Sequence, residues 1–99
     1  TSSVLNGVIN RLAAFVAAAT PPASGVALHL PTGPALALLV LAVARAGREA
    51  QVLDPQWPAA MTRATLAQLV PAWTVSTDAG LAGAGVTVLD DPFMPAAEL

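Results

Sequence analysis

The chain has 99 residues, of which 56% are hydrophobic and 10% charged, with a formal charge of −2 and no cysteine. That hydrophobic share excludes a disordered chain, and the lack of cysteine excludes disulfides, Cys-ligated zinc and thiol catalysis. Arg11, Arg45, Arg48 and Arg63 are scattered and form no basic run that would release counterions from phosphates, so nucleic acid is not an expected partner.

Charged residues usually make up about a quarter of a globular chain, and here the mean hydropathy reaches +0.68. A lone globule of this composition has little charge with which to cover its surface, which points to a missing partner surface. Alanine at nearly a quarter and the absence of lysine also fit GC-rich coding, a purely compositional origin for the same numbers. The longest uninterrupted apolar run, 35–44, is too short to cross a bilayer, and no basic leader or cleavage-like site opens the chain. The expected location is cytoplasmic, in keeping with a cysteine-free chain. Thr1 is not an initiator Met, so a piece of a longer protein is expected.

Val4, Leu5, Val8, Ile9, Leu12, Phe15, Val16 and Ala19 recur at helical spacing, predicting an amphipathic helix capped by Ser2 or Ser3 and ended by Pro21 and Pro22. A turn over 23–25 leads to a short apolar strand over 26–30. Leu-Pro-Thr-Gly-Pro (30–34) then supplies a turn with Pro34 near the first position of a second helix, which runs to about Ala46. Arg45 sits in its last turn, favourable for the helix dipole, and Gly47 can take the left-handed conformation that stops it. This helix is apolar nearly all round and the strands beside it, 26–30 and 50–53, are apolar, so all three are expected to be buried.

Pro58 starts a third helix, to about Leu69, in which Met61, Leu66, Leu69 and Val70 gather on one side while Thr62, Arg63 and Gln68 point elsewhere; Pro71 closes it. A third strand over 73–76, a loop or single helical turn over 78–82 and a fourth strand over 86–89 follow. The fold class read from this alternation is α/β: a mostly parallel sheet with right-handed crossovers and helices on both faces, a doubly wound βαβαβ arrangement in three layers. Residues 1–92 make the α/β unit, and 93–99 read as a linker or frayed end.

Few residues invite chemistry. The Gly33 turn lacks GK[ST] and GxGxxG, and Pro34 removes one N–H, so it reads as a plain strand-to-helix connection. Asp54, Asp78, Asp90 and Asp91 fall at the C-terminal ends of strands, the edge where open α/β sheets place ligands, yet they read better as solvated strand exits or caps than as a magnesium site. His29, the lone histidine, lies in an apolar strand and is expected to be a buried, hydrogen-bonded imidazole. Ser24 and Ser76 have no G-x-S-x-G context, and Trp57 and Trp73 read as packing aromatics.

Three stretches resemble, in order, the N-terminal region of the adenylate-forming enzymes, the superfamily of acyl-CoA synthetases, peptide-synthetase adenylation domains and luciferases. TSSVLNGVINRLAAFVAA (1–18) resembles the first core motif and its helix at Thr1, Leu5, Asn6, Asn10, Arg11, Leu12, Ala13 and Ala14. VALHLPTGPALALLVLAVARAG (26–47) resembles the strand, turn and helix that lead to a Lys/Arg-Ala-Gly signature, here Arg45-Ala46-Gly47. LDPQWPAAMTRATLAQLVPAWTVSTD (53–78) resembles the exit of the second motif, the next helix, and a strand ending in Thr77-Asp78. Departures at Ser2 and Val4, at Thr32-Gly33 and at Gln51-Val52 mark a divergent member.

The resemblance implies a fragment of a larger N-terminal domain, whose parent enzyme activates a carboxylic acid with ATP and Mg2+ as an acyl-adenylate and passes the acyl group to CoA or a carrier thiol. An acyl-CoA synthetase, a ligase of fatty-acid metabolism, is the closest likeness; a peptide-synthetase adenylation domain is the alternative, and a stand-alone, non-catalytic α/β interaction domain is the alternative from a different class. The phosphate loop, the Tyr-x-x-Gly-Asp stretch, the hinge and the C-terminal lysine of that superfamily lie beyond these residues. No catalytic, cofactor-binding or metal-binding residue is therefore assigned. The implied partner is the remainder of the parent chain, and the isolated piece is expected to self-associate.

Overall fold

The computed structural model describes residues 2–81, 83 and 85–89. In chain order they form α1 (Ser2–Ala19), β1 (Gly25–His29), α2 (Pro34–Arg45), β2 (Glu49–Val52), α3 (Ala59–Leu69), β3 (Trp73–Ser76), a 3-10 turn (Ala79–Leu81) and β4 (Val86–Val88). The strands make one all-parallel sheet in the order β2-β1-β3-β4. Passing from β1 to β2 and from β2 to β3 runs in opposite directions across this sheet. With a common right hand, the crossover helices α2 and α3 therefore lie on opposite faces. The α/β class, the parallel sheet and the three layers are as the alternation implied.

Strand periodicity divides the two faces chemically. Val26, Leu28 and Leu30 of the β1 segment join Trp73, Val75 and Leu89 in one apolar core with Ile9, Leu12, Ala13 and Val16 of α1 and Ala35, Leu39, Ala42 and Val43 of α2. Full burial of each large side chain here contributes about 1.5–3 kcal/mol. Ala27, His29, Thr74 and Ser76, equally buried, point to the other face, toward α3. Leu53 and Leu81 are also buried outside the first core, so the second layer mixes small, polar and a few apolar side chains.

Helix α2 begins and ends as its sequence indicates. Pro34 occupies its first turn after an extended Gly33, whose carbonyl accepts the Ala37 N–H at 3.1 Å. At the other end Gly47 takes φ +76°, its N–H donates to Ala44 O, and the Arg48 N–H reaches back to Val43 O, both at 3.0 Å. This pair of bonds is a Schellman stop, open to glycine because it lacks the Cβ that a left-handed backbone disfavours.

Four expectations change. Helix α2 is not enclosed: Ala35, Leu39, Ala42 and Val43 are buried in the core with α1 and the sheet, while Leu41 stays 51% exposed. The strand after it, β2, is an edge strand and exposes Val52. In α3, of the apolar side predicted from Met61, Leu66, Leu69 and Val70, Leu66 is half-buried while Met61, Leu69 and Val70 are exposed, and the one residue the helix fully buries is Thr62, a residue expected to point elsewhere. Ser2 and Ser3 lie within α1 rather than ahead of it.

Candidate site at the β1–β3 switch point

The connections leaving β1 and β3 depart to opposite faces, so the C-terminal edge between these strands is the topological switch point where open α/β sheets bind ligands. The register sets His29 directly beside Ser76 there, and His29 Nδ1 and Ser76 Oγ are 2.8 Å apart in a buried hydrogen bond. Ser76 Oγ also accepts the Asp78 N–H at 2.9 Å, and Asp78 Oδ1 accepts the Gly80 N–H at 2.9 Å. Arg63, from the first turns of α3, donates from Nη2 to Gly80 O at 3.1 Å. A continuous polar chain thus runs from β1 through β3 and the 3-10 turn to α3.

This arrangement pins strands together. Ser76 is fully buried, its oxygen is engaged twice, and His29 is 4% exposed, so neither a nucleophile nor a base is presented to a substrate. The expectation of a buried, hydrogen-bonded His29 holds. Its partner Ser76 lies 47 residues away, and no local spacing announces the pair.

The two described members of the acidic edge, Asp54 and Asp78, do not converge. Asp54 and Asp78 leave β2 and β3, which flank β1, so their strands are about 10 Å apart. Each carboxylate is turned back on its own loop: Asp54 Oδ1 accepts the Gln56 N–H at 2.8 Å, as Asp78 does that of Gly80. Asp90 and Asp91 lie outside the described residues. Among the described residues no group of three or more His, Asp or Glu side chains could hold a metal ion.

The remaining candidates are structural. Ser24 Oγ donates to Pro21 O at 2.7 Å in the turn before β1. The Trp73 ring packs at 5.6 Å from that of Phe15, and its Nε1 donates to Thr87 Oγ1 at 2.8 Å; Trp57 is half-buried in the loop before α3. Arg48, which no motif singles out, gathers the end of α1. Its Nε donates to Thr20 Oγ1 at 3.0 Å, its Nη2 to Thr20 O at 2.7 Å and Ala17 O at 3.1 Å, and its Nη1 to Ala46 O. A guanidinium suits this place because its fixed fork reaches several carbonyls at once and carries positive charge at a helix C-terminus. No described helix is long and apolar enough to cross a membrane. No protein-family model matches the chain, and no curated protein matches it at a significant level.

Proposed function

We propose that this chain is the N-terminal α/β portion of an adenylate-forming enzyme, similar to an acyl-CoA synthetase, and that it supports the enzyme's structure without carrying its chemistry. The parent would activate a carboxylic acid with ATP and Mg2+ and transfer the acyl group to a thiol. Support comes from the order of the three resembling stretches, which fall on α1, on β1 through the α2 stop, and on the exit of β2 through α3 to Asp78.

The observation that carries the supporting role is apolar surface left open on every layer. Val4, Leu5 and Phe15 of α1, Leu41 of α2, Val52 of β2 and Met61 and Leu69 of α3 are all exposed. Exposed apolar residues are ordinary singly, but their presence on all three helices and an edge strand suits a unit that further protein covers. The His29–Ser76 pair at the switch point, buried from solvent, suits the same role.

ATP–pyrophosphate exchange with a panel of carboxylic acids is the direct test. The 99-residue chain should give no exchange above background, and exchange by this chain alone would overturn the supporting role. The encoding reading frame tests the parentage. A phosphate-loop sequence downstream of Leu99 in frame is the expected result, whereas a frame that closes at Leu99 would assign the chain instead to stand-alone interaction domains.

A further inference from the structure

Strand β2 is one edge of the sheet, hydrogen-bonded to β1 alone. The N–H groups of Glu49 and Leu53 donate to Ser24 O and Leu28 O, each at 2.9 Å, so by strand alternation Glu49, Gln51 and Leu53 direct their backbone groups to β1. Ala50 and Val52, between them, direct their N–H and C=O groups away from the sheet. The usual protections of an edge are missing here: 50–53 carries neither charge nor proline, and Val52 is 53% exposed. The Gln51 side chain lies back over Gly25 of β1, off the edge.

We propose that this edge pairs with the same edge of a second copy of the chain, antiparallel, about a twofold axis through Gln51. In that register Ala50 and the partner's Val52 exchange both backbone bonds, as do Val52 and the partner's Ala50, so every outward group of the two residues donates or accepts. Gln51 falls opposite itself in the pair between them. Two four-stranded sheets become one continuous sheet. This interface goes beyond the supporting role proposed above and is distinct from the exposed helix faces.

Charge selects a second copy as the occupant. Arg48 and Asp54 lie three residues before and after Gln51, so the register sets Arg48 across from the partner's Asp54 at both ends of the pairing. The two Glu49 side chains stay apart, each opposite a Leu53. Moving the axis to Ala50 or Val52 loses this match, because Arg48 then meets Val52, or Asp54 meets Ala50. An edge whose opposite charges flank one residue at equal distances is complementary to itself, as a twofold interface requires.

The cysteine-free chain allows a test specific to the register. Under mild oxidation Gln51→Cys should crosslink to its own counterpart, because facing residues of a non-hydrogen-bonded pair have Cα atoms about 4.5 Å apart, within disulfide reach. Glu49→Cys should not, its counterpart being about 14 Å away along the strands. In the wild-type chain, amide exchange at Ala50 and Val52 should slow as concentration rises, whereas Gln51, bonded to β1, is protected throughout. Val52→Pro removes an outward N–H and keeps the β1 ladder, so it should weaken the dimer by roughly tenfold or more in sedimentation. Equal crosslinking at 49 and 51, or an unchanged dimer in Val52→Pro, overturns the proposal. So does a wild-type chain that stays monomeric at millimolar concentration. Association through the helix faces gives a sedimenting oligomer in which Ala50 and Val52 exchange independently of concentration, and that result overturns it even if Val52→Pro does not fold.

Discussion

At the scale of single residues, Arg48 and His29 show how differently a sequence discloses its polar anchors. His29 is legible as a buried imidazole because it is a lone titratable group in an apolar strand, but its bond to Ser76 exists only through the parallel register of β1 and β3. Arg48 follows a helix stop and has no local signal, since its three acceptors on Ala17 and Thr20, at the end of α1 and just past it, lie about 30 residues back along the chain. Its replacement should matter more than that of Arg45, whose Nη1 makes an exposed bond to Asn10. Arg48→Met is expected to lower stability by about 2 kcal/mol, by loss of charged hydrogen bonds to the end of α1. Arg48→Lys should recover only part of it, because an ammonium cannot span the same carbonyls. Denaturant unfolding of the two variants checks both statements.

At the scale of elements, the ends were more legible than the orientations. Pro34 and Gly47 bound α2 because a fixed φ and a missing Cβ act locally, whatever surrounds the helix. The stripe of α3 is legible only in part: Leu66 is half-buried as expected, whereas Met61, Leu69 and Val70 are exposed and Thr62 is buried instead. Val70 illustrates the cost of an irregular stop: it caps α3 in the left-handed region, at φ 47° and ψ 56°, and is 77% exposed. A β-branched side chain is disfavoured there and has little packing to lose. Val70→Asn should therefore stabilise the fold by about 1 kcal/mol, measured as a higher denaturant midpoint at unchanged slope. A lower midpoint would show that the Val70 side chain contributes contacts that outweigh its backbone conformation.

At the scale of the whole molecule, the two layers around the parallel sheet leave apolar side chains exposed on all three helices. The isolated chain is expected to self-associate and to bind a hydrophobic dye through these faces. Replacing Leu41, Met61 and Leu69 together by Gln should reduce both, while leaving stability within about 0.5 kcal/mol per site because all three are exposed. Sedimentation and dye titration of the wild type and the triple variant measure this, and a monomeric, dye-silent wild type would count against it. The sequence by itself determined the order of elements, the parallel α/β class, the stops of α2 and the burial of His29, because turn chemistry, periodicity and the polarity of a lone group act over a few residues. Only the tertiary structure decided that β2 lies at an edge, that α3 turns Thr62 inward, that Ser76 meets His29 and that Arg48 closes α1. Each of these depends on which distant segments become neighbours, and the energy of a buried polar group or an uncovered apolar one is set by those neighbours.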